Sequence, residues 1–70
     1  MSETIFELKS DFIELSKLLK ATGLCESGGS AKYAVGQSLV KVDGQIELRK
    51  GLKVHKGQRI EYVGHTILVQ

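Results

Sequence analysis

Ser27-Gly28-Gly29-Ser30 is the stretch of this chain best suited to chemistry, and the chemistry is anion binding. A serine followed by glycines at a helix start leaves backbone N–H groups free at the positive end of the helix dipole. No Cβ holds a phosphate away from them. Lys32 follows within one turn, and Lys41 lies on the next element. The closing lysine-plus-hydroxyl pair of a nucleotide-hydrolase phosphate loop is absent. Taken alone, the motif also fits a flexible turn that its glycines merely shape.

The candidate phosphate contacts extend beyond it. Lys32, Lys41, Arg49, Lys50 and Lys53 come from three elements, and Lys17 and Lys20 come from the helix before them. Charge is unevenly spread. Residues 1–26 hold three lysines against five acids, whereas residues 27–70 hold seven cations against three acids. A basic C-terminal part suits an anionic partner, although exposed lysines also serve solubility alone.

Other chemistry finds little support. His55 and His65 each stand alone and read as surface or turn residues, since a metal site needs further ligands at suitable spacing. Cys25 is the single cysteine; it has no neighbouring base and reads as a packing residue. No nucleophile–base grouping, paired inward carboxylates or dinucleotide fingerprint is present. The expectation is therefore a protein without catalysis, metal or cofactor. Either tyrosine could stack on a base; Tyr62 reads as core, while the sequence leaves the role of Tyr33 undecided.

The elements that must position these residues are legible in outline. Thr4 to Leu8 reads as a short leading strand. Asp11 to Thr22 reads as a helix, capped by Asp11 with Glu14 as capping-box partner or by Ser10, with Phe12, Leu15, Leu18 and Leu19 as its apolar stripe. Gly23 is its expected C-cap. Lys17 and Lys20 fall on one flank of the stripe, with Asp11 and Glu14 on the other. Gly28 to Gln37 reads as a second helix with Ser27 as N-cap and Ala31, Ala34 and Val35 as its narrow apolar face.

Strands follow. Val40 and Val42 point inward and Lys41 outward, Asp43-Gly44 forms a type I′ hairpin, and Ile46 and Leu48 are expected inward on the return strand. Arg49-Lys50 then folds back towards Lys41. Lys56-Gly57 marks a turn, Ile60 and Tyr62 face inward, Gly64-His65 suits a type II′ turn, and Thr66 to Val69 is the last strand. The fold class is α+β, two helices packed on a small, mostly antiparallel sheet.

The chain's 70 residues fit one domain, residues 1–70 with a core of about 12–69, and a 41% hydrophobic share argues against disorder. The start MSETIFELKS lacks a basic, apolar export signal, and no stretch reaches the roughly 20 apolar residues of a membrane span. A cytoplasmic protein without membrane contact is expected.

In order, these residues resemble a known family. The sequence runs helix, Gly23-Leu24, Ser27, a helix with Ala31-Lys32, then Val40-Lys41-Val42-Asp43-Gly44. This resembles the RNA-binding domain first described in ribosomal small-subunit protein S-four. Leu15 to Lys20, the SGGSAK stretch and VKVDGQIELRK are similar to the small stand-alone bacterial YbcJ-like proteins. The resemblance spans about Phe12 to Val69. It implies an αL motif, two helices and a β-hairpin presenting a shared basic surface to structured RNA.

Carried over, Ser27 matches the serine that opens the second helix and Lys32 a basic residue on it. Val42-Asp43-Gly44 matches the family's Val-Asn-Gly turn, and Arg49 and Lys50 match the basic stretch after the hairpin. The chain departs from the pattern at Glu14-Leu15-Ser16, where the family begins its first helix with Arg-Leu-Asp, and at Gly28 and Gly36, where basic residues are usual. Three cations are thus missing from the usual surface, with Lys17, Lys20 and the Arg49-Lys50 pair available to compensate.

The resulting expectation is non-enzymatic binding of structured RNA, ribosomal or transfer RNA among them, through Lys17, Lys20, Ser27, Gly28, Gly29, Lys32, Lys41, Asp43, Gly44, Arg49, Lys50 and Lys53. The alternative is a protein-interaction adaptor, associated with the ribosome, translation or ribosome assembly, that keeps the fold with weak RNA affinity.

Overall fold

Valines at alternate positions around Lys41 need one buried and one solvated face, and the chain supplies both. The computed structural model describes residues 2–70. In chain order its elements are β1 (Ser2–Phe6), β2 (Ile13–Glu14), α1 (Leu15–Ala21), α2 (Gly28–Gly36), β3 (Val40–Val42), β4 (Gln45–Ile46), β5 (Lys53–Val54), β6 (Arg59–Tyr62) and β7 (His65–Val69). Five strands form one sheet in the order β1-β7-β6-β3-β4, and β2 and β5 form a separate two-stranded pair. Every pairing is antiparallel except β1 with β7, which is parallel. The α+β class and the mostly antiparallel sheet are as expected from the sequence.

The helices cover one face of the large sheet. Leu15, Leu18 and Leu19 of α1 and Ala31, Ala34 and Val35 of α2 share a single core with Val40, Val42, Ile60, Ile67 and Val69. The alanines let α2 lie close against α1. Cys25 is buried in the same core. Its neighbour Tyr62 is a half-buried phenol, and burial together with the nearby thiol pushes its pKa up.

The second helix follows its sequence signals closely. Ser27 is the N-cap, extended at φ −148° and ψ 167°, and its Oγ accepts from the Ser30 N–H at 3.1 Å. The first helix does not. It begins at Leu15, not Asp11, and its N-cap Glu14 makes no side-chain capping bond. Residues 13 and 14 are held extended by pairing with Val54 and Lys53. The helix's first N–H groups are satisfied by backbone instead: Leu15 N–H donates to the Leu52 carbonyl at 2.9 Å and Ser16 N–H to the Lys50 carbonyl at 3.2 Å. A distant loop therefore replaces the expected local cap. Phe12, expected in the apolar stripe, precedes the helix and is exposed. The helix ends one residue earlier than expected, at Ala21, with Thr22 rather than Gly23 as C-cap; Gly23 lies just beyond it at φ 81°.

Asp43 (φ 52°) and Gly44 (φ 87°) both take the left-handed conformation that a type I′ turn demands. The same turn corrects the expected direction of Ile46. A two-residue loop sets Gln45 opposite Val42 and Ile46 opposite Lys41, so Ile46 shares the solvent face with Lys41 and is 55% exposed. Leu48 lies past the end of β4 and is also exposed.

The last hairpin turns one residue earlier than expected. Tyr62 pairs with His65, leaving Val63 (φ 45°) and Gly64 (φ 79°) as the central residues of a turn with two positive φ angles. Burial of Ile60 opposite Ile67 sets that register, and a one-residue slip would turn both to solvent. The leading strand likewise falls earlier, at Ser2–Phe6, while Leu8 is buried beyond it.

Candidate functional site

The positive end of α2 is exposed. Ser27, Gly29 and Lys32 lie at the surface. Ser27 Oγ engages only the Ser30 N–H, and the Ser27 carbonyl accepts from the Ala31 N–H at 3.0 Å. The Gly28 and Gly29 N–H groups lie in the first turn, where an α-helix has no internal acceptor for them. A Cβ at Gly28 would meet nothing within 4 Å, so the backbone there is open to approach.

A second basic group gathers where α1 starts. The loop carbonyls that cap α1 carry Lys50 to it, and the β2–β5 pair sets Lys53 opposite Glu14. The Lys53 ammonium sits 4.9 Å from the centre of the Phe12 ring, a cation–π contact, with the His55 ring 6.2 Å from Phe12 on the same patch. Arg49, Gly51, Leu52 and Lys53 line a shallow hollow here. Lys17 and Lys20 are exposed on α1 itself.

Two of these cations have acidic company. Arg49 forms a fork with Glu47: Nε donates to Oε2 at 2.8 Å, Nη2 to Oε1 at 3.3 Å, and the Arg49 N–H to Oε2 at 3.1 Å. The guanidinium hydrogen bond holds the Glu47 carboxyl below its usual range, and Glu47 in turn raises the Arg49 pKa. Lys17 lies 3.9 Å from Glu14, so the acidic flank of α1 is not apart from the basic one as the sequence suggested. Glu47 stands two residues from Arg49, a spacing that puts both on one side of the return strand the sequence suggested, and that was the available signal for their pairing.

The hairpin residues sit elsewhere. Lys41 is on the face of the sheet away from the helices, opposite Glu61 on β6 and Ile46 on β4. The Glu47 N–H donates to the Val40 carbonyl at 3.0 Å, which returns the chain beside β3, but β alternation keeps the Lys41 side chain on the far face from the core. Asp43 is engaged within the fold. Its carboxylate accepts from the Arg59 N–H at 3.0 Å and from Gln58 Nε2 at 3.2 Å, fastening the β3 turn to the start of β6. Gly44 supplies the second positive φ of that turn. The structure thus brings Lys50, Lys53 and Arg49 to the start of α1, places Ser27, Gly28, Gly29 and Lys32 at the start of α2, and sets Lys41 on the open sheet face.

With this geometry in view, the family model described as the S4 domain matches residues 6–70. The chain belongs to the S4 domain family. As an S4 domain it is 44% identical over 61 residues to the Escherichia coli (strain K12) protein named "Putative RNA-binding protein YbcJ", a match covering 87% of each chain. It is also 41% identical over 58 residues to a tyrosine–tRNA ligase of Ralstonia nicotianae (strain ATCC BAA-1114 / GMI1000), covering 83% of this chain but 15% of the ligase. The S4 fold is matched by the solution structure of E. coli YbcJ at a TM-score of 0.73 and 43% identity, over 94% of this chain and 85% of that one. That structure is described as revealing an αL motif involved in RNA-binding. Strand β1 lies almost wholly before the region matched by the S4 model.

Proposed function

We propose that this S4 domain binds structured RNA without catalysing a reaction, using the helical layer to hold the phosphate backbone. The reading rests chiefly on its likeness in sequence and fold to YbcJ, whose αL motif is described as RNA-binding. The proposed contacts are the Ser27-Gly28-Gly29 backbone, Lys32, Lys17 and Lys20 on the helices, and Arg49, Lys50 and Lys53 at the start of α1. Asp43 and Gly44 shape the hairpin, and Lys41 adds a charge from the open sheet face. Phosphate contacts of this kind give affinity without sequence choice, so discrimination falls to RNA shape and to unpaired bases. Among the described residues no helix is long and apolar enough to cross a membrane; with RNA as partner, the cytoplasm is the proposed location. Residues 1–70 act in this reading as one RNA-binding unit, with ribosomal or transfer RNA as the proposed targets.

A second reading has one observation in its favour. Arg49 is already forked to Glu47, and glycine or glutamate stands at Glu14, Gly28 and Gly36, where the family's cations are usual. A surface so reduced suits an adaptor for a protein of the translation or ribosome-assembly machinery.

Affinity for a structured RNA and a matched DNA duplex, measured across salt concentrations, separates the two. RNA binding through about four phosphates gives log K falling with log salt at a slope near −3. Replacing Lys32, Arg49 and Lys50 together by alanine weakens it and flattens the slope. Equal, weak binding of RNA and DNA by the unaltered protein overturns the RNA reading and favours the adaptor.

A further inference from the structure

The outward face of α2 carries an anomaly. Ala31, Ala34 and Val35 point into the core. At about 100° per residue, the direction opposite them is occupied by Gly29, Tyr33 and Gly36, with Lys32 on its edge. Tyr33 is 68% exposed, the most exposed large hydrophobic side chain among the described residues. Two of its neighbours one turn away, Gly29 before it and Gly36 after it, have no side chains.

Nothing in the fold requires those two glycines. Neither has a positive φ, a Cβ at Gly36 would meet nothing within 4 Å, and one at Gly29 would meet only the Ser27 Oγ at 3.9 Å, an ordinary contact. Glycine on an exposed helix face is unfavourable relative to alanine. What the pair does provide is access: of the four positions one turn from Tyr33, Ser30 and Gln37 carry polar side chains while Gly29 and Gly36 carry none, so the ring is open on the side of the two glycines. Lys32 is the adjacent residue and supplies the charge beside the ring.

We propose that Tyr33 is a stacking platform for an unpaired base of the bound RNA, with Lys32 and the open first turn of α2 taking the neighbouring phosphates. This rests on the RNA reading above and adds a specificity determinant to it. A phosphate surface alone does not distinguish paired from unpaired RNA, whereas an exposed ring rewards a base that is free to leave its stack. The occupant is committed by chemistry: a planar, sequence-tolerant π-face carried on an anionic backbone.

The test compares an RNA hairpin with an unpaired loop against the same stem as a blunt duplex. Both are titrated with the unaltered protein, Tyr33→Ala and Tyr33→Phe at several salt concentrations. Tyr33→Ala weakens loop RNA binding by about tenfold, within the range for one base–aromatic stack, and leaves duplex binding unchanged. Its salt slope stays the same, because stacking releases no counterions. Tyr33→Phe keeps most of the loop affinity. The chain has two tyrosines and no tryptophan, so tyrosine emission is a second readout. Loop RNA quenches it in the unaltered protein, and Tyr33→Phe, with only Tyr62 left, loses that quench. Unchanged loop affinity in Tyr33→Ala, or an equal loss on loop and duplex, overturns the stacking platform while leaving phosphate binding intact. Failure of the unaltered protein to bind either RNA overturns the RNA reading and the platform with it.

Discussion

At the residue scale, Glu47 competes for one cation of the proposed RNA surface. Its carboxylate occupies the Arg49 fork in the geometry a phosphate would need, so an incoming phosphate must displace it. Glu47→Gln should raise RNA affinity about threefold at low salt, a modest gain because an exposed pair is weak, and the gain should shrink as salt rises. Unchanged affinity in a salt-series titration would place Arg49 outside the RNA surface. Tyr62 offers a separate, pH-dependent test. Burial and Cys25 raise its pKa above the ordinary tyrosine value of 10.0, so the folded state holds the phenolic proton more tightly than the unfolded chain. Stability from this group is complete below pH 10 and is lost as pH rises through the raised folded value. Thermal melts over an alkaline pH series should show Tyr62→Phe losing less stability than the unaltered protein as pH rises from 10 through the folded value.

At the element scale, the two hairpin turns use the same backbone shape with different residues. Asp43-Gly44 is well suited to two positive φ angles, and the Asp43 carboxylate is tied down by Arg59 and Gln58. Val63-Gly64 places a β-branched residue at φ 45°, an outlier for that side chain, and leaves it 66% exposed. The register of Ile60 against Ile67 and of Tyr62 against His65 dictates the position, and the turn accepts the strain. Val63→Asn should therefore stabilise the domain by about 1 kcal/mol, seen as a rise in Tm of roughly 4–8 °C for a domain of this size. A fall in Tm would mean that Val63 makes contacts worth more than its strain.

At the scale of the whole molecule, one core serves both helices and the large sheet. Leu18 is fully buried within it, together with Ala34, Val35, Val40 and Ile60. Truncation to Leu18→Ala should cost about 2–5 kcal/mol. A chain this short buries a smaller share of its surface than a larger domain and has little stability to spare. Urea denaturation should show a much lower midpoint or no folded baseline. RNA binding should fall with the folded fraction, since the proposed phosphate contacts are gathered from α1, α2 and the loop that caps α1. A variant that unfolds yet binds as tightly would reduce the proposed interface to general charge.

The sequence by itself determined the parts whose signals are local. Ser27 and its following glycines specify a capped helix, because the cap bond spans only three residues. Asp43-Gly44 specifies its turn, because both residues tolerate positive φ. The ordered set of these pieces was enough to show the resemblance to the S-four-type domain. Only the tertiary structure decided the rest. The start of α1 moved from Asp11 to Leu15 because strand pairing with Lys53-Val54 and carbonyls from Lys50 and Leu52 outcompeted a side-chain cap. Ile46 turned outward because the two-residue loop sets pairing register, and register fixes the face. The spacing of Glu47 and Arg49 left their pairing open to reading, but Lys53 was brought to Phe12 only by the path of the chain past the start of α1. Local hydrogen bonds and φ preferences are written in neighbouring residues, whereas register and long-range contacts depend on what the rest of the chain places opposite them.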